Sequence, residues 1–120
     1  RRVADAVKQS SYWAENGDEK LDMICLGARN SWEGKCFKKM LAAEVKTLDI
    51  GFGSGVDMEL DYLMDFNFLP VEWENKWDIV FSNSLDHAED PTWAFFEWLR
   101  TLKISGLLVL GISDYLLKKL

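Results

Sequence analysis

Five short stretches of the chain are dense in apolar residues, and two of the four segments between them carry apolar residues at helical spacing. Leu21 to Leu26 has five apolar residues in six, too many for a strand with one wetted face, and so predicts a strand buried on both sides. Val45 to Ile50, Tyr62 to Phe66, Trp77 to Phe81 and Gly106 to Ile112 complete the series. Between the first two, Trp32, Cys36, Phe37, Met40 and Leu41 recur with a helical period, and Asn30 with Glu33 has the spacing of a capping box. Before the last strand, Asp90-Pro91 supplies an N-cap and a first-turn proline to a helix over Trp93 to Leu102. A weaker stripe of Val3, Ala6, Val7, Trp13 and Ala14 predicts an N-terminal helix that stops near Asn16-Gly17. Trp93, Phe95, Phe96 and Trp98 fall within six residues and cannot all face one sheet, so one or two are expected to contact something else.

Alternation of buried strands with helices predicts an α/β three-layer sandwich around a mostly parallel sheet. Crossovers in such sheets are right-handed, which allows the first and fourth strands to lie side by side at a switch point with a cleft above them. Ligands of these folds bind beyond the carboxyl ends of the strands, so the polar stretch Ser82 to Asp90 is where function is sought.

Composition narrows the class. With 120 residues and 48% hydrophobic content, the chain suits one domain with one core: an N-terminal helical part over 1–20, an α/β core over 21–112, and the first turn of a truncated helix over 113–120. A net charge of -6 with no basic stripe disfavours nucleic acid. The longest apolar run is far below the roughly 20 residues of a membrane span. Cys25 and Cys36 stand alone, which suggests neither a disulfide framework nor a metal site and fits a reducing, cytoplasmic setting. The chain opens on Arg1-Arg2 with no apolar leader behind it, and the ends are expected to be cut from a longer protein.

Asp78-Ile79-Val80-Phe81-Ser82-Asn83, Leu85-Asp86-His87, Trp98 to Lys103 and Gly106 to Leu110 together resemble the second half of class I S-adenosylmethionine-dependent methyltransferases of the type 11 kind. The likeness covers roughly residues 21–112. It departs where the family carries Lys-Pro-Gly-Gly and this chain has Lys103-Ile104-Ser105-Gly106. The resemblance implies a Rossmann-like sheet of order 3-2-1-4-5, S-adenosyl-L-methionine as cofactor, and a methyl acceptor that the sequence does not identify.

Two frames compete for the first half. Leu48 to Gly55 matches the family's glycine-rich loop residue for residue, but only 10 positions separate Gly55 from Asp65, too few for a helix and a second strand. In the preferred frame Leu21 to Leu26 is the first strand and Gly27, Ala28 and Arg29 form the cofactor loop. Asp49 then lies 22 positions after Gly27, the spacing expected of a ribose-binding acid, with Ile50 beside it. In this frame the resemblance makes Asp65 the acceptor for the adenine amino group, Phe66 a cover for the ring, and Ser82 and Asn83 the floor beneath the methionine end. Asp86 and His87 would be the acid–base candidates.

Each residue also has a plainer role. Gly27 can be a turn glycine, Asp49 a solvated carboxylate, Asp65 with Asn67 simple turn chemistry, and His87 a structural hydrogen bonder. Such a domain would be a non-catalytic α/β interaction module, open to dimerisation through the edge of its fifth strand. A nicotinamide dehydrogenase is disfavoured because no Gly-x-Gly-x-x-Gly follows the first strand.

Overall fold

A computed structural model describes residues 2–16, 20–27, 32–50 and 60–111. Its elements follow the order α1 (Arg2–Lys8), α2 (Ser11–Asn16), β1 (Asp22–Leu26), α3 (Trp32–Leu41), β2 (Glu44–Asp49), β3 (Tyr62–Leu63), β4 (Trp77–Ser82), α4 (Pro91–Thr101) and β5 (Leu102–Leu110). The five strands form one sheet in the order β3-β2-β1-β4-β5, and every neighbouring pair is parallel. This is the expected Rossmann-like α/β fold. β1 is its centre: Met23 lies opposite Val45 on one side and Ile79 on the other, and Leu26 opposite Leu48 and Ser82.

The density of apolar residues in β1 is explained by its two covered faces. Met23 and Cys25 pack with Ala4 and Val7 of α1 and with Phe37 and Leu41 of α3. Ile24 and Leu26 point the other way, into a cluster with Ala94 and Trp98 of α4. Successive strand residues alternate faces, so one five-residue strand anchors both outer layers.

At the amino ends of the strands Asp78, 5% exposed, gathers three elements. Its carboxylate accepts hydrogen bonds from the Tyr12 hydroxyl of α2, from the Asp22 backbone N–H at 2.7 Å, and from Lys103 Nζ at 3.3 Å. The N-terminal helical part is two helices rather than one. Ser10 divides them, its hydroxyl donating to the Val7 carbonyl and accepting the Trp13 N–H, which makes it the cap of α2.

Two strands differ from their expected spans by more than one residue at an end. β3 ends at Leu63 because the Asp65 carboxylate accepts the Asn67 N–H at 2.9 Å, a local turn that competes with sheet pairing. β5 begins at Leu102 but is interrupted at once: Leu102 pairs with Trp77 and Leu107 with Ile79, so residues 103–106 bulge opposite Asp78. Ser105 takes a positive φ of 66° there, and a Cβ on Gly106 would lie 2.8 Å from the Asp78 carbonyl oxygen. The turn expected at Lys103 to Gly106 thus exists as a bulge inside the strand. The Asn30 cap and the Gly51 to Gly55 cluster lie outside the described residues.

Candidate functional site at the carboxyl ends of the strands

The junction of β1 and β4 is the switch point of this sheet, since chain order reverses there. Above it sits a cavity of about 300 Å³, at the lower end of the range for small-molecule sites. Its walls come from four strand ends: Gly27 after β1, Asp49 and Ile50 at the end of β2, Asp65 to Asn67 after β3, and Ser84, His87 and Glu89 after β4.

Gly27 is required at its position on two counts. Its φ is +71°, and an added Cβ would stand 2.7 Å from both Cβ and Oγ of Ser84 and 3.0 Å from the Phe66 ring. Its N–H donates to the Leu48 carbonyl at 2.8 Å, which ties the turn to β2. Two serines fasten it to β4. Ser82 Oγ donates to the Leu26 carbonyl at 2.8 Å and accepts the Ser84 N–H, and Ser84 Oγ donates to the Gly27 carbonyl at 3.2 Å.

The wall that follows β3 is fastened to α4. The buried indole of Trp98 donates to the Phe66 carbonyl at 2.8 Å, and its ring meets the Phe66 ring edge to face at 5.2 Å. Asn67, 3% exposed, donates through Nδ2 to the Asp90 carbonyl, while its own carbonyl accepts the Trp93 indole N–H at 2.7 Å. Farther along, the Glu97 carboxylate accepts the Leu69 N–H at 2.8 Å and the Arg100 Nε–H at 2.9 Å, and Arg100 donates onward to the carbonyls of Leu69, Pro70 and Val71. Burial pushes the Glu97 carboxyl upward, but the Arg100 hydrogen bond, the Leu69 N–H and the Arg100 charge together hold it below its ordinary range. Helix α4 therefore acts as a rail that fixes where Asp65 and Phe66 stand.

Of the residues singled out from sequence, Gly27, Asp49, Ile50, Asp65, Phe66 and His87 meet around the cavity. Ser82 does not line it: this side chain is fully buried and its hydroxyl is engaged by the Leu26 carbonyl. Asn83 is exposed beside Gly111 and also stands off the cavity walls. Asp86 is set back from the rim, its side chain 9% exposed, with a carboxylate oxygen 3.9 Å from His87 Nε2. Ala28 and Arg29 lie outside the described residues. Asn67, Ser84 and Glu89 are wall residues that sequence reasoning passed over. No local pattern marks Ser84, which lies two residues past the end of β4 and is placed by its hydrogen bond to the Gly27 carbonyl.

No family model, curated protein or solved structure matches the chain. What the site can do must be read from its own chemistry. Asp49, Asp65 and Glu89 give it three carboxylates, and no Lys or Arg stands on its walls among the described residues. Asp49 holds one oxygen against the Ile50 N–H at 2.9 Å, and each carboxylate has several acceptor positions beyond the one it uses locally. Among the described residues no helix is long and apolar enough to cross a membrane.

Proposed function

We propose that this chain is an S-adenosylmethionine-dependent methyltransferase domain whose cofactor lies in the cavity above β1, β2 and β3. One observation carries the reading: a cavity at the switch point is walled by an acid at the end of β2, a second acid just past β3, and an aromatic ring next to the second acid. This donor set suits an adenosyl group. Asp49 would accept from the two ribose hydroxyls, Asp65 from the exocyclic amine of adenine, and Phe66 would cover the ring face. The frame that puts the cofactor turn at Gly27 is supported by the central place of β1, since the glycine cluster at 51–55 follows β2 instead.

When bound, the cofactor supplies an electrophilic methyl group. Displacement at that carbon asks the protein mainly to orient donor and acceptor, which rigidly fastened walls do well. His87, whose side chain is 65% exposed at the rim, would take a proton from an acceptor that must lose one.

Calorimetric titration with S-adenosylhomocysteine tests the reading. Saturable binding is expected, weakened roughly tenfold or more by Asp49→Ala and unchanged by Glu72→Ala on the exposed turn before β4. Absence of binding at millimolar ligand, or equal effects of the two substitutions, would reject it.

A specific observation favours a second reading, a non-catalytic interaction module. The two serine hydroxyls at the end of β4 donate to the Leu26 and Gly27 carbonyls, which commits both hydroxyl hydrogens within the protein rather than to the carboxylate of a methionine tail. β5 is an outer strand, and its Ile104 is 86% exposed. That reading predicts a concentration-dependent dimer in size-exclusion chromatography that ignores S-adenosylhomocysteine.

A further inference from the structure

Beside the first cavity lies a second, of about 480 Å³, which shares Asn67 and Glu89 with it and is completed by Phe68, Asp90 and Trp93. Phe68 and Trp93 are large apolar side chains left 66% and 54% exposed. Their ring centroids stand 6.5 Å apart at an interplanar angle of 47°, a tilted pair whose faces are inclined to one another. The indole cannot swing freely, because its N–H is fixed to the Asn67 carbonyl at 2.7 Å and its backbone N–H to the Asp90 carboxylate at 3.0 Å.

We propose that this second cavity is a subsite for a small alkylammonium ion, held between the Phe68 and Trp93 rings with Glu89 and Asp90 at its rim. The aromatic faces carry the argument and the carboxylates fix the sign. A cation placed between the rings lies within about 6 Å of both centroids, the range over which the ring quadrupoles attract it. Glu89 and Asp90 make the rim anionic, and no basic residue lines either cavity among the described residues to oppose a cation. A bare metal ion suits the place less well, since two of the five wall residues offer hydrocarbon where a hard cation needs oxygen. An alkylammonium ion matches both kinds of wall, with methyl groups against the rings and charge toward the acids. The subsite stands without reference to the first cavity, but together with the cofactor reading above it would bring an amine acceptor to the shared Glu89 wall. The ammonium would first give up a proton to His87, and the freed nitrogen lone pair would form the N–C bond as the S–C bond of the cofactor breaks.

The test uses the whole chain, with choline as the cationic probe and 3,3-dimethylbutan-1-ol as its neutral isostere, followed by the NMR signal of the Asn67 backbone amide, which lies on the wall of the subsite and is present in every variant. Choline should shift that signal saturably at millimolar concentration, and the isostere should bind at least fivefold more weakly. Trp93→Ala and, independently, Phe68→Ala should each weaken choline binding at least fivefold. Glu89→Gln should weaken it two- to fivefold at low salt and less at high salt. Equal affinity for the two probes, or wild-type affinity in both aromatic variants, would overturn the proposal. Choline binding without S-adenosylhomocysteine binding would uphold the subsite and remove the methyltransferase reading; the reverse result would remove the subsite alone.

Discussion

The two ends of the sheet use carboxylates in opposite ways. At the amino ends, Asp78 is buried and meets donors from α2, β1 and β5, so its charge is matched inside the protein. At the carboxyl ends, Asp49 and Asp65 each make a hydrogen bond to a neighbouring backbone N–H and turn toward a cavity. The first arrangement tells a packing story: a buried acid survives only when partnered, and the partners then hold three elements together. The second arrangement keeps acceptor capacity facing open space, which is what a site for a polyhydroxylated or cationic ligand requires.

Substitutions should separate the two ends. Asp78→Ala removes the acceptor from three donors and is expected to cost about 4 kcal/mol in denaturant unfolding, while the surviving folded protein keeps its affinity for S-adenosylhomocysteine. A variant with normal stability would show that the bracket at the amino ends is ornamental. Gly27→Ala forces a side chain into a positive φ and against Ser84, at a cost of about 2 kcal/mol, and unlike Asp78→Ala it should also impair ligand binding. Loss of stability with unaltered binding would place the ligand elsewhere.

The smallest effect concerns the rail. Glu97 has its folded pKa held below the ordinary carboxylate value, so its contribution is fully present above about pH 4.3 and is lost as pH falls through the folded value. Glu97→Gln should lower stability at pH 7 by about 1 kcal/mol and flatten the acid limb of the stability profile below that pH. An unchanged acid limb would show that the clamp of Glu97 on Leu69 and Arg100 does not hold the wall after β3.

Much of the fold could be read directly from residue pattern because burial on both faces leaves little choice. Dense apolar runs such as Leu21 to Leu26 and Trp77 to Phe81 became the central strands β1 and β4. The Asp90-Pro91 start of α4 was equally plain, and the Asp90 carboxylate does accept the Trp93 N–H. Strand limits were less legible where side chains compete for the backbone, as at Asp65, or where a bulge interrupts pairing, as at residues 103–106. Of four clustered aromatics, Trp98 is wholly buried, Phe95 partly so, and Trp93 and Phe96 are exposed, which agrees with the limit that one sheet face imposes.

The site divides along the same line. Asp49 and Asp65 were visible because strand ends fix the position of the residues that follow. Asn67 and Ser84 reach the cavity through loop geometry, set by long-range bonds to Asp90, Trp93 and Gly27 that no local pattern announces, and Glu89 reaches it from the bend just before Asp90. Ser82 was drawn away from the cavity by register, since pairing with Leu26 aims its hydroxyl at that residue's carbonyl.

Backbone amide NMR during titration with S-adenosylhomocysteine tests the division between the two ends most directly. The account predicts shifts concentrated at Gly27, Asp49, Asp65 and Phe66, with Asp22, Asp78 and Lys103 unmoved. Shifts confined to the amino ends, or none at all with ligand in excess, would contradict it.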